Sequence, residues 1–329
     1  MNASKLQAAA VCAALAFASQ ARAAELPLPK DGWASWEVQA VEDSPAWCCW
    51  NSWDNGVADA STCKLDDDRH GYGSRDKTRT DTIRVYARFA GGKVEKVRAL
   101  AAACPVESRT PIKKLDNIAT DDSARWLIGL AKASETEFDE EALGALAMHR
   151  GTLAFDALSS MARVDSEEEK RKRAIFWLAM LRGPAGADIA TDTMFNDKSP
   201  EVRKHSAFAI TQSKSPRVTA DLTRLGNTDK DSDVRAQAWF WLAHTGAPNV
   251  ESALIAASKK DQDDHVREQA IFALSQLPDD RATPALIKAA EDRTLSREQR
   301  KRALFWLAQS QSSGAQAYLD KVLAGNRTN

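Results

Sequence analysis

The chain has 329 residues, 43% hydrophobic and 28% charged, with a formal net charge of −1. That is the composition of a folded globular protein long enough for two domains. The near-neutral balance argues against a nucleic-acid binder, which would carry a basic footprint.

The opening segment, MNASKLQAAAVCAALAFASQARA, places Lys5 before an apolar run and ends on Ala21-Arg22-Ala23. This is the pattern of a secretory signal peptide cleaved before Ala24, and the run is too short to span a bilayer. Loss of Lys5 and Arg22 would take the net charge from −1 to −3. The expectation is a secreted, periplasmic protein without a membrane span.

Cys12 leaves with that segment, so four cysteines remain: Cys48, Cys49, Cys63 and Cys104. An even number in an oxidising compartment predicts two disulfides. Adjacent cysteines rarely bridge each other. Cys48 and Cys49 are therefore expected to pair separately, one with Cys63 and one with Cys104, in an order the sequence leaves open. A soft-metal site built from these thiols and His70 is the alternative.

Residues 24–111 form the first unit, a small β-rich domain. Trp36-Glu37-Val38-Gln39-Ala40-Val41 alternates like a strand. In 82–101, Ile83, Val85, Ala87 and Phe89 alternate with Arg84, Tyr86 and Arg88, and Gly91-Gly92 predicts a hairpin turn. Residues 64–80 read as a charged loop. Its Asp66-Asp67-Asp68 start resembles a calcium loop, but Lys77 occupies the bidentate position and the match fails. Five tryptophans, Trp33 to Trp53, form either a small core or a stacking surface for glycan or peptide.

Residues 112–329 form the second unit. Weaker helical patterns over 121–134, 138–149 and 151–161 predict an irregular cap. A repeat then begins. Arg171, Arg203, Arg235, Arg267 and Arg300 recur about every 32 residues, the last interval being one longer. Five residues after each stands Phe176, Phe208, Phe240, Phe272 or Phe305. Asp165, Asp197, Asp229 and Asp261 precede the first four arginines by six; Thr294 stands there in the fifth. Each unit supplies two helices, the second carrying Leu222, Leu254, Leu286 or Leu319. Helix pairs at this spacing stack into a solenoid.

These residues resemble HEAT repeats, particularly the short bacterial form, in which a hydrophobic residue and Arg open the first helix. Val202-Arg203, Val234-Arg235 and Val266-Arg267 match; Lys170 and Gln299 depart from it. The FWLA form of the motif is similar to secreted bacterial HEAT-repeat proteins with a Cys-containing N-terminal region. The resemblance implies a mainly α chain, about six HEAT-like hairpins after a small β-rich domain, and binding to other proteins. The Asp and Arg residues then read as a structural ladder of helix-end and carboxylate contacts.

The chain contains no G-x-S-x-G, H-E-x-x-H, phosphate loop or C-x-x-C, and its five histidines lack ligand spacing. No catalytic, cofactor or metal residue is therefore assigned. At ~100° per residue, Val234, Ala238, Trp241 and Leu242 share a helix face and are expected to form the core stripe. Trp239 is expected to flank it. The phenylalanine row lies off that stripe: either a third line of core or an apolar groove for a protein segment. The expected function is a non-enzymatic extracytoplasmic scaffold with a protein partner, its identity and the oligomeric state unread. The alternative is a ligand-binding or enzymatic N-terminal domain supported by the solenoid.

Overall fold

The computed structural model describes residues 26–50, 62–67, 71–73, 78–133 and 139–325. The segment read as a signal peptide, and Trp53, Asp68, His70 and Lys77, lie outside them.

Eight strands open the chain among the described residues: β1 Gly32–Gln39, β2 Cys48–Trp50, β3 Cys63–Lys64, β4 Gly71–Gly73, β5 Thr82–Ala90, β6 Lys93–Ala101, β7 Val106–Glu107 and β8 Ile112–Lys114. Four of them form one sheet in the order β6-β5-β1-β8. β1 runs antiparallel to β5, Gly32 opposite Phe89, and parallel to β8, Trp33 opposite Ile112. The β5–β6 turn is Gly91-Gly92, at φ 56° and 78°, the left-handed pair that a tight hairpin requires. β4 and the Lys64 end of β3 fall in the stretch read as a loop. Strands this short show no alternation from which to recognise them.

The period of two gives the sheet two buried faces. Trp36, Val38, Ile83, Val85, Ala87 and Phe89 join the core shared with the helices. Trp33, Tyr86 and Leu100 face the other way, onto Cys49, Cys63, Leu65 and Cys104. The early tryptophans therefore do not form one surface. Trp33 and Trp36 are buried on opposite faces, and Trp47 is half-buried between sheet and helices.

Thirteen helices follow among the described residues. α1 Thr120–Lys132, α2 Asp139–Met148 and α3 Thr152–Val164 occupy the predicted cap. Five hairpins come next: α4 Glu168–Leu181 with α5 Gly183–Asn196, α6 Pro200–Thr211 with α7 Val218–Thr228, α8 Ser232–Ala243 with α9 Val250–Lys260, α10 Asp264–Ser275 with α11 Asp279–Glu291, and α12 Arg297–Gln309 with α13 Ser313–Gly325. The start of each motif helix after α4 is capped by a side chain: Ser199, Asp231, Asp263 and Ser296, the last with Gln299 in a capping box. One apolar core runs from the sheet through the last hairpin.

The structure corrects the assignment of core within the motif. Trp239, expected to flank the stripe, is 2% exposed, whereas Trp241, expected inside it, is half-buried. The buried side chains of α8 are Val234, Ala236, Ala238, Trp239, Leu242 and Ala243. Their directions span about 200° at ~100° per residue, because α8 is covered by α6, α7, α9 and α10 together. A narrow stripe drawn through Val234 and Leu242 misplaces the centre of so broad an arc.

Trp239 fits because α7 opposes it with Gly226. A Cβ there would stand 2.5 Å from Trp239 Cε2. One repeat earlier, Met194 stands in the Gly226 position and Ala207 replaces Trp239; one repeat later the pair is Ser258 and Ile271. The volumes compensate, as close packing demands. Gly226→Ala should therefore overpack the layer and cost about 1–3 kcal/mol. Trp239→Leu in the same chain should recover part of that loss, read as the urea unfolding midpoints of the three variants.

Candidate interaction surface

The polar ladder comes first, because it sets the spacing of everything laid on it. Asp197 Oδ1 accepts from Ser199 N at 2.8 Å, fixing the turn before α6. The same carboxylate receives both Nε and Nη2 of Arg171, at 2.9 and 3.1 Å. Arg171 Nη1 donates to the Asp165 carbonyl at 2.9 Å. Arg203 repeats this with Asp229 and the Asp197 carbonyl. Arg235 does so with Asp261 and the Asp229 carbonyl. Each arginine thus binds the turn of its own repeat and the aspartate of the next.

The ladder stops at the fifth unit. Asp292, not Thr294, holds that turn, accepting from Thr294 N at 2.9 Å. Its carboxylate pairs with Lys259 at 2.5 Å. Arg267 binds the Asp261 carbonyl and pairs locally with Asp264, and Arg300 donates to the Leu295 carbonyl. The one-residue insertion moves the acid out of register. Gln299, which replaces valine, donates instead to the Ser258 carbonyl at 2.6 Å.

The aromatic residues form a continuous ribbon over the motif helices. Trp47 lies 5.8 Å from Trp177, and Trp177 5.2 Å from Phe176, between ring centroids. Phe176 stacks on Phe208 at 5.9 Å, and Phe208 meets Trp241 at 4.9 Å. Trp241 and Phe240 are 5.0 Å apart, and Phe240 stacks on Phe272 at 6.0 Å. Phe272 meets Trp306 at 4.9 Å, which touches Phe305 at 5.0 Å. Each phenylalanine of this row therefore has a ring partner, and such pairs contribute about 0.5–1.5 kcal/mol beyond burial. None is fully buried, and Phe305 is 47% exposed.

At the N-terminal end the ribbon enters a cavity of about 470 Å³ lined by Trp47, Phe176, Trp177, Met148, Met180 and the Arg98–Glu141 pair. Gly144 makes room for Trp177: a Cβ on it would come within 2.9 Å of the indole. This cavity joins β6, α2 and α4, and only the fold brings those segments together.

The cysteines are distributed as Cys48–Cys104 and Cys49–Cys63. One bond ties β2 to the turn after β6 and the other ties β2 to β3, over the second face of the sheet. With every described thiol oxidised, the soft-metal alternative loses its ligands. Among the described residues no group of three or more His, Cys, Asp or Glu could hold a metal ion. No helix there is long and apolar enough to cross a membrane. Asp66 is a clamp for the sheet: it accepts from Trp33 Nε1 and Arg88 at 3.0 Å and from Arg109 N at 2.7 Å. Burial pushes its pKa up, but these donors prevail and hold it below the usual carboxylate range.

Sequence reasoning missed one buried polar cluster. Trp36 Nε1 donates to Ser123 Oγ at 2.7 Å, and Ser123 Oγ lies 2.8 Å from His149 Nε2. The Ala145 carbonyl, 2.7 Å from Nδ1, can only accept. The protons are thereby assigned: Nδ1–H donates to Ala145, and Nε2 accepts from the serine. The pair has the distance of a nucleophile and its base, but Ser123 and His149 are both 0% exposed. It ties the sheet to α1 and α2. His149 is a lone histidine without a sequence motif, so nothing local announces it.

A stack of helical hairpins joined by an internal Asp–Arg ladder defines an α-solenoid of short repeats. The HEAT-repeat family matches residues 155–239 and 227–308, so this stretch of the chain is a run of HEAT repeats, and a disulfide-linked region precedes it. Among solved structures it is similar to human deoxyhypusine hydroxylase in complex with glycerol, at 16% identity and TM-score 0.34, over 60% of this chain and 76% of that one. It is also similar to the Escherichia coli protein YibA, at 22% identity and TM-score 0.37, over 61% of this chain and 81% of that one. No curated protein matches the chain.

Proposed function

We propose that this HEAT-repeat protein is a non-catalytic extracytoplasmic scaffold that binds a protein segment along its aromatic ribbon. The observation that carries this reading is the ribbon itself. Nine rings run from Trp47 to Phe305, supported from behind by the core and half-open in front. Aromatic residues backed by a rigid scaffold are the usual anchors of protein binding. A partner would lay apolar side chains along the row, with one anchor in the cavity beside Trp47 and Trp177.

The N-terminal region, proposed as a unit over residues 24–111 ahead of the solenoid at 112–329, would cover the first repeat, with β8 just past that boundary still pairing in its sheet. Its two disulfides support a location outside the reducing cytoplasm. With them goes the proposed cleavage before Ala24, which mass measurement of the chain purified from periplasm would check.

Phe240→Ala with Phe272→Ala should weaken a partner captured by the wild-type chain by about tenfold or more. The far-UV circular dichroism spectrum should remain unchanged. Equal affinity of wild-type and variant for that partner would remove the ribbon from the binding site.

A further inference from the structure

A second cleft lies on another side of the junction between the N-terminal region and the solenoid. Its volume is about 1070 Å³, and its walls come from the loop after β1, the α2–α3 and α4–α5 connections and the turn before α7. Four cations line it: Arg79, Arg150, Arg182 and Lys214. None of the four has a carboxylate partner among the described residues. Arg150 and Arg182 donate to main-chain carbonyls, Ala40 at 2.9 Å and Leu146 at 3.1 Å. Arg217 also lines the cleft, but it is paired with Asp188 and contributes no net charge. Glu42 and Asp43 are the remaining acids, which leaves an excess of two positive charges.

Arg182 is the least compensated of these groups. Its Nε donor is enclosed and has no acceptor among the described residues. Burial lowers its pKa to about 10, with no carboxylate pulling it back. A desolvated guanidinium without a counter-ion is costly, and an anion in the cleft would offset that cost. The backbone adds to this. The cleft is lined by Gly151-Thr152 and Gly183-Pro184, the starts of α3 and α5. Neither helix has a side-chain cap, so both present the positive end of a helix dipole. Phe155 and Pro45 supply an apolar wall.

We propose that this cleft binds a small organic polyanion, with carboxylate or phosphate oxygens on Arg79, Arg150, Arg182 and Lys214 and its carbon skeleton against Phe155. The site adjoins the ribbon's end cavity through Trp47 and Met180, which line both, but none of its four cations lines that cavity, and the proposal does not depend on the scaffold reading. Bidentate guanidinium contacts suit either type of oxyanion.

The test is calorimetric titration of the full chain with citrate and, separately, with inorganic phosphate, at matched ionic strength in chloride. The side chains of Arg79 and Lys214 make no hydrogen bond among the described residues, so Arg79→Ala with Lys214→Ala removes charge without removing support. Saturable binding of either probe, weakened about tenfold or more in that double variant at an unchanged melting temperature, is the expected result. Arg182→Lys, which keeps the charge but loses the fork, should weaken binding as well. Citrate binding without phosphate binding assigns a carboxylate ligand; the reverse assigns a phosphate ester. No saturable binding of either probe, or binding unaffected in both variants, overturns the proposal.

Discussion

Arg203→Ala should destabilise the chain by about 3–5 kcal/mol, far more than a surface ion pair would. The Arg203 side chain is 3% exposed and that of Asp229 5%. Two parallel bonds of 2.8 and 2.9 Å join them. Removing the guanidinium strands a buried carboxylate and also leaves the Asp197 carbonyl without its 2.9 Å donor. The loss is not confined to one repeat, because Asp229 sets the turn of the next through its 2.8 Å bond from Asp231 N. In an array stabilised by nearest-neighbour terms, weakening one junction separates the stability of the two flanks. Urea unfolding followed by tryptophan fluorescence should therefore show an earlier, broader transition for this variant. Arg302→Ala, which removes a pair with both side chains over 40% exposed, should change the unfolding free energy by no more than about 0.5 kcal/mol. Equal effects of the two substitutions would contradict the structural importance of burial in the ladder.

The parts of this architecture that are legible in the sequence are those that repeat. Arg171, Arg203 and Arg235 solve the same packing problem at the same spacing, so the ladder shows before any coordinates do. The repeat says which positions are equivalent, but not how much of each helix is covered. That is why a sequence stripe selects Trp241 although Trp239 is the buried ring: the width of the buried arc depends on four neighbouring helices. The Gly226–Trp239 fit is present in the residues but requires knowing which second helix opposes which first. Disulfide connectivity is closed to sequence reasoning, since both pairings satisfy the same spacings. The cationic cleft is hidden for a further reason. Arg150, Arg182 and Lys214 recur at the repeat spacing, but Gly246 and Pro278 continue the same series, so no charged motif stands out. Arg79 joins them from the strand region, a placement only the fold makes.

The buried histidine leads to the other large expectation, a loss of stability in mild acid. Burial lowers the pKa of His149 from 6.5 to about 4, while its bond to the Ala145 carbonyl resists the shift and Arg182 adds to it. In the unfolded chain the ring titrates near 6.5, so between there and 4 the unfolded state binds more protons than the folded one. Stability therefore rises with pH across this window and is lost on descending through it. The difference in pKa corresponds to about 2 kcal/mol lost between pH 7 and about pH 5, a range in which ordinary carboxylates remain largely ionised. His205 is also held below its usual value, by burial and then by Lys172, and it titrates in the same direction. The discriminating comparison is thus between wild-type and His149→Gln. The glutamine variant should be less stable at pH 7, since it disturbs the bonds to Ser123 and Ala145. Its urea midpoint should nevertheless fall much less between pH 7 and about pH 5, with the His205 contribution remaining in both. Parallel pH dependence in the two chains would mean that His149 is not the group whose protonation lowers stability in mild acid.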